Sequence, residues 1–537
     1  MKVLLIFISL SLTSVISAAQ GEEVPQDKRV SSRLQPRESF RRSYIQIRNE
    51  IFRSESESKS NVVLVKSLKE AYAKYKSTSQ FVSDLSATEM APSWADEEFT
   101  FQGESVRIHD VWGKFKNWIA RKSRPRSEDL AFNFVETSDN QAEILAGNES
   151  FWPRLIEDIT NAKSSINIQM FGITADAFVV NFAKLLAQKA AQGVKVRILA
   201  DQLGAGMCPF IKKGPLMKVM GVLLKDGPER PIPSKDLFDF LRNHNIETVL
   251  IPPRLNGPNF QLDHRKLYVI DGKIGYNTGY TLQKEMREIK FDEGVRFSGS
   301  LVHQFQLSFF SSWIFNGGKI STEDLDSFDF KYFPNIESPN GTSGTALTMK
   351  VNVPGVRAEV TESYLDLIDR AEKYIYVVTP YFASGAFFKA LEKAAQRGVE
   401  VRVVVPKVPV GRSYAFVDNQ IFREFSKYGI KSYSYLGPKN YGLIHAKGML
   451  VDGKFVSIGS CNMDPFSLLF NNEINILSSD PAFVQSVQRE MFNYIFQYSE
   501  PYKPFLINNF DEKVEVGASE FVVGAARSLI EYFGFEW

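Results

Sequence analysis

One short pattern occurs twice in this chain, and that repetition constrains its architecture more than any other feature. Residues 261–282 read QLDHRKLYVIDGKIGYNTGYTL, and residues 442–463 read GLIHAKGMLVDGKFVSIGSCNM. Both contain H-x-K-x-x-x-x-D, as His264, Lys266 and Asp271 and again as His445, Lys447 and Asp452. The chain has only five histidines, so two in matched settings are not a product of composition. The likeness extends upstream, where AAQGVKVR at 190–197 matches AAQRGVEVR at 394–402. In each copy, helix-then-strand segments precede the motif: FWPRLIEDITNAKSSINIQMF and FVVNFAKLLAQKAAQGVKVRILAD, against YLDLIDRAEKYIYVVTPYF and FFKALEKAAQRGVEVRVVVP. This alternation predicts an α/β fold of two tandem repeats, each a mixed, mostly parallel sheet flanked by helices.

Within each copy the local physics is simple. LYVID and GMLVD are β-prone, and a strand sends residues i and i+2 to one side, so each His shares a face with its Lys. Asp271-Gly272-Lys273 and Asp452-Gly453-Lys454 are hairpin-turn signals that fold each motif strand back on the next. Asp292 and Glu473 each follow their own histidine by 28 residues. A carboxylate that accepts a proton from one imidazole nitrogen fixes the tautomer and leaves the other nitrogen free to attack. The matched spacing predicts that Asp292 orients His264 and Glu473 orients His445. Two α/β units facing each other then bring both His/Lys pairs to one cleft.

The paired motifs resemble those of the phospholipase D superfamily. The second copy, IGSCNMDPFSLLFNNEINIL, is most similar to the bacterial cardiolipin synthases within it, and TPYF at 379–382 fits that branch. The resemblance covers about residues 140–500. Two departures stand out. An ungapped alignment of the copies puts Gly279 and Thr281 opposite Ser460 and Asn462, so the first copy lacks the usual Asn; Thr281 offers a hydroxyl, or a bulge recruits Asn277. Phe466 stands where the synthases usually have Arg.

The resemblance implies chemistry on a phosphodiester, which must be neutralised, attacked and given a proton on its leaving oxygen. Lys266 and Lys447 supply positive charge, while Asn462, Ser460 and Thr281 are candidate hydrogen-bond partners for the phosphate oxygens. One neutral His attacks phosphorus and forms a phosphohistidine; the other protonates the leaving alcohol and then activates the acceptor. The resemblance assigns attack to His264 and acid/base work to His445, with Asp292 and Glu473 orienting them. Asp271 and Asp452 are expected to pin the hairpins. No metal or other cofactor is implied. The expected substrate is an anionic phospholipid such as phosphatidylglycerol, with peripheral membrane contact. A secreted nuclease on the same scaffold is the alternative, and it requires a cleft rich in Lys, Arg and stacking aromatics.

Composition fits this reading. A net charge of +2 does not favour a dedicated duplex-DNA binder, and 44% apolar with 23% charged residues is ordinary for a globular chain. Lys2, the apolar run VLLIFISLSLTSVISA and the small residues Ser17-Ala18-Ala19 read as an export signal over 1–19, giving a periplasmic or secreted product. Residues 20–130 form a helical and basic extension. Within it a helix is expected over Glu104–Arg126, with Ile108, Trp112, Phe115 and Ile119 on one face, docked either on the core or on an anionic membrane. The first repeat is placed at 131–330, a linker at 331–345, the second repeat at 346–505 and a helical tail at 506–537. An insertion at 207–230 mixes apolar and basic residues and reads either as a lid or lipid-contacting loop over the cleft or as packed local structure. Cys208 and Cys461 do not make a disulfide framework, and Cys461 reads as a small packing residue.

Overall fold

The computed structural model describes residues 98–101, 104–107 and 134–503, the last apart from 208–234, 253, 257–258, 284–289, 322–323, 325–330, 335–343, 354–356, 383, 408–420, 439–441 and 465. The export signal, the tail and nearly all of the 207–230 insertion lie outside the described residues. So does most of the helix expected from Glu104, but its first four residues form a strand, paired antiparallel with Glu98–Phe101. A helix start at Glu104 is therefore wrong: two short runs separated by Gln102-Gly103 close on each other as a hairpin.

The first repeat contributes β1 (Thr137–Ala146), α1 (Asn148–Asn161), β2 (Ser165–Met170), α2 (Ala177–Ala191), β3 (Lys195–Asp201), α3 (Lys235–Asn243), β4 (Glu247–Ile251), β5 (Leu267–Ile270), β6 (Ile274–Thr278), β7 (Glu293–Ser298) and α4 (Leu301–Phe315). The second repeats that order. It has β8 (Thr345–Val353), α5 (Glu359–Arg370), β9 (Tyr374–Val378), α6 (Gly385–Gln396), β10 (Glu400–Pro406), β11 (Lys431–Tyr435), β12 (Gly448–Val451), β13 (Phe455–Gly459), β14 (Glu473–Ser478), α7 (Pro481–Val487), α8 (Asn493–Gln497) and β15 (Ser499–Pro501). Short π-helical turns occupy Phe466–Phe470 and Gln488–Phe492.

These fifteen labelled strands belong to one sheet, in the order β15-β11-β10-β9-β12-β13-β14-β8-β1-β7-β6-β5-β2-β3-β4, while Arg357–Ala358 pairs with β8 beside it and Arg254–Asn256 pairs with Asn259–Gln261 in a separate hairpin. The order is a near palindrome about the β1–β8 seam. Each repeat ends in an edge strand of unpaired N–H and C=O groups, and antiparallel pairing of β1 with β8 satisfies both edges at once. The two units are thus halves of one sheet rather than separate sheets. Parallel pairing is confined to β2-β3-β4 and β9-β10-β11. The expected mostly parallel arrangement gives way elsewhere to antiparallel ladders, because the tight turns after β5 and β12 reverse the chain directly.

Those turns form as their sequences require. Asp271 and Gly272 have φ of 53° and 63°, Asp452 and Gly453 of 56° and 65°, and the turns close through Lys273 N–H to Ile270 O (3.0 Å) and Lys454 N–H to Val451 O (2.9 Å). Positive φ at both central positions defines a type I′ turn, for which Asp-Gly is suited. Each Asp then uses its carboxylate to anchor the turn to a neighbouring strand. Asp271 accepts from the N–H groups of Lys163, Ser164 and Ser165 at 2.7–2.9 Å, and Asp452 from those of Glu372, Lys373 and Tyr374 at 2.8–2.9 Å. The motif aspartates therefore lock the hairpin to the start of β2 or β9 and stand apart from the histidines.

Strand periodicity distributes the core to both faces of the sheet. Leu267, Val269, Leu450 and Val456 join Phe305, Phe309 and Met491 in a core built by both repeats, beneath α4 and α7. Tyr268 and Ile270 face the other way, into the first repeat's own core with α1 and α2; Met449 and Val451 do the same beneath α5 and α6. Burial on both faces explains why the motif strands are apolar runs rather than alternating ones.

We predict that Asp452→Ala lowers unfolding stability by about 1–3 kcal/mol, because three backbone N–H groups lose their acceptor. Burial pushes this carboxyl up, but the three N–H donors pull it below its ordinary value. Its stabilisation is therefore present above the unfolded-state pKa and lost as pH falls through the lower folded value. Denaturant melts of wild type and variant should differ at neutral pH and converge in acid; a constant gap would refute this account.

Candidate active site

Each motif His/Lys pair lies in an extended segment just ahead of its strand, and each segment is held by the opposite repeat. His264 N–H donates to Asn472 O (2.9 Å) while Asn472 N–H donates to Leu262 O (2.9 Å). In the same way His445 N–H donates to Phe291 O (2.7 Å) and Phe291 N–H to Leu443 O (3.1 Å). Asn472 and Phe291 immediately precede Glu473 and Asp292. The backbone bridges thus bring each carboxylate to the histidine of the other copy.

The side chains follow. His264 Nδ1 lies 2.9 and 3.0 Å from the two carboxylate oxygens of Glu473, and His445 Nδ1 lies 2.7 Å from Asp292 Oδ2. This overturns the expected pairing within each copy. Equal spacing along the chain cannot tell a carboxylate that serves its own histidine from one that serves its counterpart; the cross-repeat bridges choose the counterpart. The chemical outcome is the one sought, since a carboxylate only accepts, so each Nδ1 must donate and each Nε2 carries the lone pair.

Both imidazoles and both lysines are nearly sealed from solvent, with His264 at 8%, His445 at 3% and both lysines at 0% exposure. Lys266 Nζ donates to His264 O at 2.5 Å, Lys447 Nζ donates to His445 O, and Lys447 Nζ lies 2.8 and 3.0 Å from Nδ1 and Nε2 of His445. The Phe171 ring meets His264 edge-on at 4.8 Å and has Lys266 Nζ 5.3 Å from its centre. Burial lowers both histidines; Glu473 opposes it at His264, while Lys447 takes His445 lower still against the pull of Asp292. Burial also drives Lys266 down to about 7, with Lys447 adding repulsion against the attraction of Glu473 and Asp292. Burial raises Asp292, but His445 and Lys447 outweigh it and hold the carboxyl down at about 2. The site is two imidazole–carboxylate halves that share one electrostatic field with two buried lysines.

Ser460, Thr281 and Asn277 each have partners within the protein. The Ser460 hydroxyl donates to Glu473 Oε2 at 2.5 Å and accepts from Ile474 N–H at 3.0 Å, so it orients the carboxylate. Thr281 Oγ1 donates to Gln283 Oε1 at 2.9 Å. Asn277 turns its amide toward Ile458 O (3.4 Å) and Ile474 O (3.5 Å), across the repeat seam, so it does not substitute for the missing Asn. Asn462 bonds the buried Asp464, which burial pushes up to about 6, and its Oδ1 has no partner. Tyr381 is half-buried and Phe382 buried, whereas Phe466 is 44% exposed.

Several site residues escaped the sequence reading. Arg265, fully buried, bonds Asp263 through Nε (3.1 Å) and Nη2 (2.5 Å) and reaches Ser312 on α4. Asp263 in turn accepts from the Asn472 amide at 3.2 Å, which stiffens the bridge beneath His264. Glu293 stands beside Asp292, buried, and accepts from Lys447 N–H at 3.2 Å. The acidic doublet Asp292-Glu293 was a visible signal; the reach of Arg265 to α4 was not.

Two His/Lys pairs converging from duplicated α/β halves define an enzyme of the phospholipase D type. The chain belongs to the family described as cardiolipin synthase, PLD-like domain, which matches residues 155–313 and 364–495. It is 30% identical to cardiolipin synthase of Staphylococcus aureus (strain Mu50 / ATCC 700699) over 378 residues, covering 68% of this chain and 69% of that one. Identity to cardiolipin synthase of Listeria monocytogenes serotype 4a (strain HCC23) is 29% over 370 residues, or 66% and 68% of the two chains. Among solved structures, phosphatidylserine synthase of Haemophilus influenzae Rd KW20 shares the fold, with a TM-score of 0.54, 16% identity, and coverage of 74% of this chain and 96% of that one.

The crossed pairing is directly testable by titrating the histidine ring resonances. Asp292→Asn should lower the pKa of His445 and leave that of His264 in place, while Glu473→Gln should do the reverse, because each loses the carboxylate that favours its imidazolium. Shifts in the same-copy histidines would restore the pairing expected from spacing.

Proposed function

We propose that this protein is an exported phosphatidyltransferase of the cardiolipin-synthase type, working through a phosphohistidine. The observation that carries the mechanism is that both Nδ1 atoms are committed to carboxylates across the seam, which leaves both Nε2 atoms outside those pairs in a site that also buries two lysines. The lipid assignment rests on the relatives, and export on the leader pattern at residues 1–19.

An anionic phosphodiester enters between Lys266 and Lys447, with a second N–H of Asn462 available to an equatorial oxygen. Its charge restores the lysines and favours one protonated histidine, so binding takes up a proton. His264 Nε2 attacks phosphorus, the bond to the leaving alcohol oxygen breaks, and His445 Nε2–H protonates that oxygen. An acceptor hydroxyl then gives its proton to His445 and attacks phosphorus, and the P–N bond to His264 breaks. With phosphatidylglycerol as donor and a lipid hydroxyl as acceptor, the leaving alcohol is glycerol; with water as acceptor, the product is phosphatidic acid. Peripheral contact with the bilayer follows from the substrate, since moving its acyl chains into water is prohibitive.

Purified protein lacking residues 1–19 should convert phosphatidylglycerol in vesicles to a diphosphatidyl lipid with release of glycerol, and should leave single-stranded DNA intact. Phosphatidic acid as sole product identifies a hydrolase, and cleavage of DNA without lipid turnover identifies the nuclease reading. His264→Asn should abolish both turnover and trapping of label from the phosphatidyl group. His445→Asn should slow turnover by several orders of magnitude while letting labelled enzyme accumulate. Label retained by the His264→Asn protein would reverse the two roles.

The pH dependence has a defined sign. Lys266 loses its charge in the free enzyme as pH rises through about 7. The kcat/KM profile should therefore fall on the alkaline side from near that point, while kcat, reporting the complex, should hold to higher pH because bound phosphate restores the ammonium. Alkaline limbs that coincide in kcat and kcat/KM would show that Lys266 does not respond to the phosphate.

A further inference from the structure

The two orienting carboxylates are not supported alike, and the difference points to Glu293. Glu473 receives the Ser460 hydroxyl at 2.5 Å. The position equivalent to Ser460 is Gly279: in each copy this residue's N–H donates at 3.0 Å to the carbonyl of the residue after the orienting carboxylate, Glu293 for Gly279 and Ile474 for Ser460. No serine fits at 279, since a Cβ there falls 2.0 Å from Asp292 Oδ1. Asp292 is thus denied a hydroxyl donor from that position, and its Oδ1 is left with the Glu293 backbone N–H at 3.1 Å.

Glu293 fills this gap. Its counterpart in the second copy, Ile474, is apolar, yet Glu293 is a fully buried acid. One carboxyl oxygen, Oε1, accepts from the backbone N–H of Lys447 at 3.2 Å. The other, Oε2, is buried and has no donor to accept from, while the side chain lies in hydrogen-bonding contact with the Asp292 carboxylate. Two carboxylates cannot bond each other, whereas a carboxylic acid and a carboxylate can. A proton on the Glu293 carboxyl turns its contact with Asp292 into a hydrogen bond, while Oε1 keeps the Lys447 N–H.

We propose that Glu293 is a proton-bearing positioning residue, whose acid O–H supports Asp292, and through it His445, as the Ser460 hydroxyl supports Glu473 and His264. The surroundings agree. The charged and titratable groups facing Glu293 are Asp292, Lys447, Tyr280 and Tyr364, with His445 beyond Asp292. Burial and the adjacent Asp292 charge raise the Glu293 carboxyl well above its ordinary value, outweighing Lys447. By sharing the Asp292 charge, the acid O–H makes that carboxylate a weaker base and keeps His445 lower than an unsupported Asp292 would. The hydroxyl at Ser460 has no accessible ionisation, but the one at Glu293 does, so only the His445 half of the site carries a titratable support.

The activity readout rests on the phosphatidyl-transfer reading, but two readouts do not. Infrared difference spectra of wild type against Glu293→Gln should contain a carboxylic acid C=O band that the variant lacks, and only carboxylate bands in that difference would overturn the proposal. Glu293→Gln retains an N–H donor for Asp292, so the His445 titration followed by NMR should stay in place. Glu293→Ile removes the donor and should raise the pKa of His445 by about one unit and lower kcat about tenfold with little change in KM. A downward shift of His445 in Glu293→Gln would mean that an ionised Glu293 had been removed and would refute the idea. An unshifted His445 in folded Glu293→Ile would leave only a packing role, which also refutes it. If Glu293→Ile does not fold, the infrared band and the Glu293→Gln titration still decide. Should phosphatidylglycerol prove not to be a substrate, the same spectra distinguish that failure from failure of this assignment.

Discussion

The crossed imidazole–carboxylate pairs are the interaction on which the site depends. His264 with Glu473 and His445 with Asp292 each join one repeat to the other. Neither half can orient its own histidine, so a single repeat of this chain lacks a working base. The bridges from His264 to Asn472 and from His445 to Phe291 make the exchange a property of the backbone, and the β1–β8 seam and common core hold the two backbones in register. Removing one partner leaves a buried donor or acceptor unsatisfied, at a cost of about 1–3 kcal/mol, so the pairs help hold the halves together.

Electrostatics explains why so costly an arrangement persists. Two buried ammonium groups repel each other and are depressed by burial, and two buried carboxylates offset them only partly. Lys266 near its titration point is poorly suited to an empty site but well suited to one that meets an anion. In the proposed reaction the added charge of a phosphodiester favours protonated lysines and one protonated histidine, so binding and protonation are coupled. The depressed histidines fit the same logic under the proposed mechanism, in which one imidazole attacks as a free base and the other acquires its proton with the substrate.

The duplication has drifted in ways that packing makes intelligible. Ser460 with the longer Glu473 and Gly279 with the shorter Asp292 are matched sets: the Asp292 carboxylate occupies the space a side chain at 279 would need. Asn462 with Asp464 and Thr281 with Gln283 preserve an i,i+2 side-chain bond while changing both members. The buried Asp263–Arg265 pair of the first motif is replaced by apolar Ile444 and Ala446 in the second. The site is therefore symmetric in its backbone and in its two His/Lys pairs, and asymmetric in the residues that tune each histidine.

Much was legible in the linear chain because it is local. The Asp-Gly turns, the doubled motif, the helix-then-strand order and the resemblance to cardiolipin synthases depend on residues close in sequence, and these agree with the fold and the family. The fold-back of each motif strand was legible in its Asp-Gly turn, but alternation with helices overstated the share of parallel pairing in the sheet. The partners of the two histidines were beyond reach for a deeper reason. In a duplicated chain the same spacing describes a carboxylate that serves its own copy and one that serves the other. Only the joining of both halves in one sheet decides between them. The same holds for Ser460, Thr281 and Glu293, whose hydrogen bonds are set by which atoms the assembled seam leaves without a partner.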